Sequence, residues 1–320
     1  MCASIPGVQK IELAGGHVGS YQDKFDPRTN LDLVGNIEES DLVLVPHDSK
    51  FFSKNASYLK YLNEIGSKKP LLVSDRGDFP TKISLKNTTV LRVGIEPQEK
   101  LSDTIILPYN IKAISHLSFR DYSLNPEVSF VGQIPNFSFG RIIKSIKKSP
   151  MHPMKANAAI VRRIAIQKVR SSTISSKVLI RNSYGGLEKF VTDPKVKRQE
   201  FVQSILESDF VLCPRGDSNG SLRFYETLSA GRVPLIPNTQ MIFPKISNFD
   251  LNEYVLFFNF FSGSFTEEVM NFWLELDEHK YHELQSDLRK IFHQHLKFDI
   301  FVQNLLNFDF QHFASFKSFY

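Results

Sequence analysis

The chain has 320 residues, 42% of them apolar and 23% charged, with 39 Lys or Arg against 34 Asp or Glu. That apolar share excludes a disordered chain, and the length suits two domains of roughly 100 to 200 residues, each large enough for its own core. Only Cys2 and Cys213 occur, which excludes a disulfide framework and points to a reducing compartment, with Cys213 a small buried hydrophobe at a strand end. No run reaches the roughly 18 apolar residues of a membrane span, and the opening MCASIPGVQKIELAGG lacks the blocks of a signal peptide. The expected location is cytoplasmic.

Along the chain, short apolar runs alternate with helical patterns, the rhythm of parallel sheets with crossover helices, so an α/β fold is expected. In the first half, residues 42–45, 71–73, 90–93 and 104–107 read as strands. Residues 57–65 read as a helix, since Tyr58, Leu62 and Ile65 recur three and four apart. Asn125-Pro126 interrupts the pattern and places a domain boundary near residues 123–127. Strands follow at 128–131, 178–180, 210–213, 233–236 and 254–257, with helices at 156–169, 196–207, 221–230 and 266–276. The Phe-rich tail after Tyr281 is expected to be helical to about Leu306. The division is therefore 1–125, 126–295 and 296–320, the last being a helix that packs on the second domain or crosses back to the first.

Residues 209–236, DFVLCPRGDSNGSLRFYETLSAGRVPLI, carry the strongest local signal. Val211 and Leu212 read as a buried strand that Pro214 ends. Gly216 and Gly220 let backbone approach a ligand closely, and the helix opening at Ser221 aims its unpaired N–H groups and positive dipole end at the same spot. An anion site is expected at Arg215, Gly216, Asp217, Asn219, Gly220 and Ser221. Arg223 and Glu226, three apart, share one helical flank beside the apolar arc of Leu222, Tyr225 and Leu228. The alternative, an ordinary strand-turn-helix with solvated charges, leaves unexplained an Arg and a Glu on the turns nearest a glycine loop. Asn219-Gly220-Ser221 is formally a glycosylation sequon, but a glycan there would block the ligand.

Cys213-Pro214-Arg215-Gly216, Ser221, Arg223-Phe224-Tyr225-Glu226, Leu228, Gly231 and Val233-Pro234 resemble the signature of exostosin-family glycosyltransferases. The resemblance is clear over about the last half of the chain. Upstream it is weaker, in DLVLVP at 41–46 and LLVSDRGD at 71–78, which are similar to the family's amino-terminal domain. It implies a GT-B fold, two Rossmann-like domains facing each other across a cleft, and inverting transfer from a nucleotide sugar. It implies a UDP-sugar donor, with a GDP-sugar (fucosyl-type) transferase as the alternative, and a glycan or lipid-linked acceptor. One departure is Arg232, where relatives often carry Cys, so fine donor specificity does not carry over.

Such chemistry needs charge stabilised on the leaving diphosphate and a proton removed from the attacking hydroxyl. Arg215, Arg223 and the amides at Gly220 and Ser221 serve the leaving side at about 1.5–3 kcal/mol per charged hydrogen bond. No metal or other cofactor is then required. Glu226 suits the ribose hydroxyls, since a carboxylate accepts from two adjacent O–H groups. No Asp-x-Asp stands in a strand-end context: Asp309 lies between Phe308 and Phe310 and reads as packing, and His279, His282, His293 and His295 are spaced poorly for one metal face. The base is expected from the carboxyl ends of first-domain strands. Asp75 is the first choice because it lies in a family-like segment, with Asp48 and His47 behind it, the alternative for each being turn chemistry.

Between Val128 and Leu187 there is no Asp or Glu but eleven Lys or Arg. A positive field of this kind fits an anionic partner: the donor, an anionic acceptor, or a membrane surface met peripherally through residues 141–170. The alternative is a solvated helix face. Nucleic acid is not expected, because only Phe130, Phe137, Phe139 and Tyr184 interleave the basic residues for stacking. A nonenzymatic binder of nucleotide sugar or anionic polymer on the same scaffold is the remaining alternative.

Overall fold

A computed structural model of the chain describes residues 36–40, 42–45, 49, 54–75, 81–99, 103–114, 119–181, 193–246 and 249–307. Two parallel sheets organise them. The first is β1 (Val43–Val45), β2 (Leu71–Ser74), β3 (Thr88–Arg92) and β4 (Thr104–Ile106), hydrogen-bonded in that order. Every residue of these strands is buried, which is why they read as continuous apolar runs: a parallel sheet is covered on both faces.

Alternate residues serve the two faces. Val43, Val45, Leu71 and Val73 pack on Leu62 and Ile65 of α1 (Ala56–Gly66). That helix starts where the Asn55 side chain accepts from the Tyr58 amide at 3.1 Å. On the opposite face Leu44, Leu72, Leu91, Ile105 and Leu107 share a core with Phe298, Phe301 and Leu305. Those three belong to the last described helix, Phe298–Asn307, so that helix lies on the first sheet.

The second sheet holds β5 (Glu127–Gln133), β6 (Ser175–Arg181), β7 (Phe210–Leu212), β8 (Val233–Pro237) and β9 (Leu256–Phe258) in the order β6-β5-β7-β8-β9, all parallel. Its helices are α2 (Phe139–Lys148), α3 (Ala158–Ser171), α4 (Pro194–Leu206), α5 (Leu222–Ser229), α6 (Phe265–Leu274) and α7 (Glu278–Ile291); the last described helix is α8. Val128, Phe130, Phe210, Leu212 and Leu235 anchor one core with Phe224, Trp273 and Tyr281. This is a doubly wound order, and the chain reverses its winding between β5 and β7. Open α/β sheets bind ligands in the crevice outside the strand carboxyl ends at such a switch point.

The connection between the sheets is tied down on the second. Arg120 donates from Nε to Asp209 at 2.7 Å and from its amide to Gln285 Oε1 at 2.8 Å. Tyr122 stacks on Trp273 with centroids 5.1 Å apart, and the indole N–H donates to the Ser123 carbonyl at 2.7 Å. No helix among the described residues is long and apolar enough to cross a membrane.

Candidate active site

β7 ends at Leu212, Pro214 has no N–H to extend the ladder, and the Gly216 amide donates to the Gly220 carbonyl at 2.8 Å. That bond closes a bend which delivers the chain to α5, with Ser221 at its N-cap making no capping bond through its side chain. Arg215 sits at the base of the bend with its side chain fully buried. Its Nη1 and Nη2 take the two oxygens of Glu96, the Nη1–Oε2 distance being 3.0 Å, and Nη1 also donates to the Lys155 carbonyl at 3.1 Å. Glu96 lies just past β3 and Arg215 just past β7, so the pair joins the ends of the two sheets.

Both sheets point their strand carboxyl ends at this contact, the GT-B arrangement. A Cβ on Gly94 would stand 2.5 Å from Ser218 Oγ, and one on Gly220 would stand 2.9 Å from the Val93 carbonyl and 3.1 Å from the Tyr109 ring. Neither position has room for a side chain. Tyr109 also meets Tyr225 of α5, with centroids 5.8 Å apart. The expected anion bend is therefore covered by the segments that follow β3 and β4 in this conformation. Within it the Ser218 hydroxyl is buried and finds no hydrogen-bond partner among the described residues, a costly state for a polar group.

Arg223 occupies the switch point. Its guanidinium donates to the carbonyls of Leu212, at the end of β7, and Val131, near the end of β5, and lies 4.4 Å from the centre of the Phe130 ring. Gly132 makes this possible, because a Cβ there would fall 2.6 Å from Nη2. Arg162 of α3 braces the same crevice, donating to the Gln133 carbonyl at 2.9 Å and the Arg215 carbonyl at 3.1 Å. Glu226, one turn beyond Arg223, accepts from Arg198 of α4, which also donates to the Lys112 carbonyl at 3.0 Å. Burial pushes the Glu226 carboxyl above its ordinary range, opposed by Arg198 and Arg223. Burial pushes the Cys213 thiol up to about 12, so it is an inert packing group.

The other expected residues have protein partners of their own. Asn219 donates to the carbonyls of Thr239 and Gln240 at 3.2 Å and accepts from Thr239 Oγ1 at 2.8 Å, pinning the bend to the end of β8. Asp217 turns to α2 and accepts from Arg141 at 2.7 Å. Arg232 is buried away from the bend, donating to Gln285 at 2.8 Å and the Leu206 carbonyl at 2.9 Å. Asp75 is buried past β2, accepting from Ser49, the Thr81 amide at 2.8 Å and Arg92 Nε at 3.0 Å. It braces first-domain loops, and these partners leave it apart from the bend. His47, Asp48 and Asp309 lie outside the described residues.

Sequence reasoning missed Glu96, Ser218, Arg162 and Arg198. Glu96 had a usable signal, a carboxylate just past a buried apolar run, the rule that selected Asp75. Among the described residues no group of three or more His, Cys, Asp or Glu side chains could hold a metal ion.

Residues 162–249 match the family model described as the RXYLT1 C-terminal domain, a span that opens at Arg162 and contains the whole bend. No curated protein matches the chain. Among solved structures it is similar to MurG of Acinetobacter baumannii, at 12% identity over 84% of this chain and 74% of that one, with a TM-score of 0.35. It is similar to a glycosyltransferase from Rickettsia africae ESF-5, at 10% identity over 86% and 70%, with a TM-score of 0.36. It is also similar to Anabaena Alr3699/HepE, solved with UDP-glucose, at 12% identity over 86% and 78%, with a TM-score of 0.34. Over residues 162–249 this two-sheet α/β chain is thus similar to the RXYLT1 C-terminal domain, an exostosin-family glycosyltransferase domain.

Proposed function

We propose that the chain moves a sugar from a nucleoside-diphosphate donor, UDP before GDP, to a hydroxyl of a glycan or lipid-linked acceptor, with inversion and without a metal. One observation carries this reading: Arg215, at the base of the bend that leads into α5, already grips an anion, the two-oxygen carboxylate of Glu96. A donor pyrophosphate offers the same bidentate acceptor geometry to a guanidinium. It exchanges with Glu96 as the domains part, and gains the Ser218 hydroxyl and the positive end of α5. Arg223 adds positive charge at the crevice, and Glu226 addresses the ribose.

Once displaced, Glu96 is a first-domain carboxylate beside the bound donor. It takes the proton of the acceptor hydroxyl as that oxygen attacks the anomeric carbon and the bond to the diphosphate breaks. This role suits Glu96 better than Asp75, whose carboxylate is occupied by Ser49, Thr81 and Arg92.

Thermal denaturation of the full chain with UDP, GDP and their sugars tests the reading. A nucleoside diphosphate is expected to raise the melting temperature in the presence of EDTA, and Arg223→Ala to remove the shift. NMR of the product's anomeric proton tests inversion. No shift with any nucleotide, together with salt-sensitive binding of an anionic polymer, would instead mark a nonenzymatic binder.

A further inference from the structure

Helix α2 is fastened to the protein by the wrong side for an ordinary surface helix. Phe139, Ile143 and Ile146, at i, i+4 and i+7, form one stripe, and all three are exposed, Phe139 at 75%. Phe137 before the helix and Met151 after it, at 56% and 81%, extend the stripe. Such a stripe normally faces the core. Here the inward face is mostly polar: beside the half-buried Ile142, Ser145 is buried, Arg141 Nη1 pairs with Asp217 at 2.7 Å, and Lys148 Nζ donates to the Asp217 carbonyl.

The exposed side also carries Lys144 and Lys147 along the edge of the stripe. The segment from Val128 to Leu187 that contains this helix holds eleven Lys or Arg and no Asp or Glu. An apolar ridge flanked by lysines matches the headgroup boundary of an anionic bilayer, where apolar side chains enter the acyl region and lysines reach lipid phosphates. A second copy of the chain fits poorly, because two-fold pairing of this face would gather the lysine edges of both copies in one interface.

We propose that α2 docks the protein on the surface of an anionic membrane. Through Asp217 the docked helix is joined directly to the bend, which brings the site to headgroup level. The docking surface itself needs no nucleotide, so it stands or falls independently of the proposed reaction.

Sedimentation of the full chain with phosphatidylglycerol–phosphatidylcholine vesicles, against phosphatidylcholine alone, tests this. Binding to the anionic vesicles is expected, about tenfold stronger than to the neutral ones and weakened by salt. The double substitution Phe139→Ser with Ile146→Ser should lower it by about tenfold, while Lys144→Gln with Lys147→Gln should erase the anionic preference. All four side chains are exposed, so each variant should melt with the parent chain. Failure to sediment with anionic vesicles, or equal binding by the Ser variant, overturns the proposal. So does a concentration-dependent dimer in ultracentrifugation that the Ser variant dissolves.

Discussion

Arg215 and Glu96 meet as a buried, two-pronged ion pair across the two domains, with the arginine side chain wholly shielded from solvent. Breaking a buried pair by removing one charge costs about 3–5 kcal/mol. Glu96→Gln should therefore melt below the parent chain without ligand. Because the unpaired guanidinium then seeks an anion, the nucleoside-diphosphate shift should be larger than the parent's. Transfer should fall by about 10²–10⁴-fold for loss of the base. Scanning fluorimetry with and without UDP, beside a product assay, reads both, and a shift no larger than the parent's would show that Glu96 and the donor do not compete.

Arg223 binds two strand-end carbonyls with one planar group laid over Phe130, which a lysine cannot reproduce. Arg223→Lys keeps the charge but loses the plane. A nucleotide affinity reduced by about tenfold or more is expected, with a lower melting temperature, because one charge-assisted hydrogen bond contributes about 1.5–3 kcal/mol. Titration calorimetry with UDP measures it. Unchanged affinity alongside the lower melting temperature would reduce Arg223 to a brace between β5 and β7.

Burial raises the Glu226 carboxyl, with Arg198 and Arg223 pulling the other way. A raised folded value means the folded state holds the proton more tightly. The associated stability is complete below the unfolded glutamate value of about 4.3 and is lost as pH rises through the folded value. Measured against Glu226→Gln, which does not titrate, the parent chain should lose stability over that window. Urea unfolding of both proteins from about pH 4 to 7 checks the sign, and a difference moving in the parent's favour would refute it.

Gly231, between α5 and β8, has φ +67°, and a Cβ there would lie 2.7 Å from the Gln285 carbonyl oxygen. An L side chain is strained at that φ and collides with α7 as well. Gly231→Ala should lower stability by about 1–3 kcal/mol in urea unfolding. Its contact is with α7 and not the bend, so nucleotide affinity of the folded fraction should hold.

The strands were legible because both faces of a parallel sheet are covered, which forces continuous apolar runs. Residues 71–73 became Leu71–Ser74 and 233–236 became Val233–Pro237. Residues 178–180 widened to Ser175–Arg181, since this edge strand alternates exposed and half-buried positions and only its middle reads as apolar. Helix α2 was not legible. Its apolar stripe points to solvent, so it falls outside a reading that looks for segments with a face to bury.

What the sequence determined alone was local. It set the apolar runs, the proline that ends β7, the two glycines of the bend and the Arg-Glu flank of α5, because each follows from the sterics and hydrogen bonding of a few adjacent residues. Tertiary structure decided which group each charge meets. Glu96 reaches Arg215 across 119 positions and Arg223 reaches Val131 across 92. Such pairings depend on how two independently wound sheets pack, and no short-range pattern of residue types encodes that.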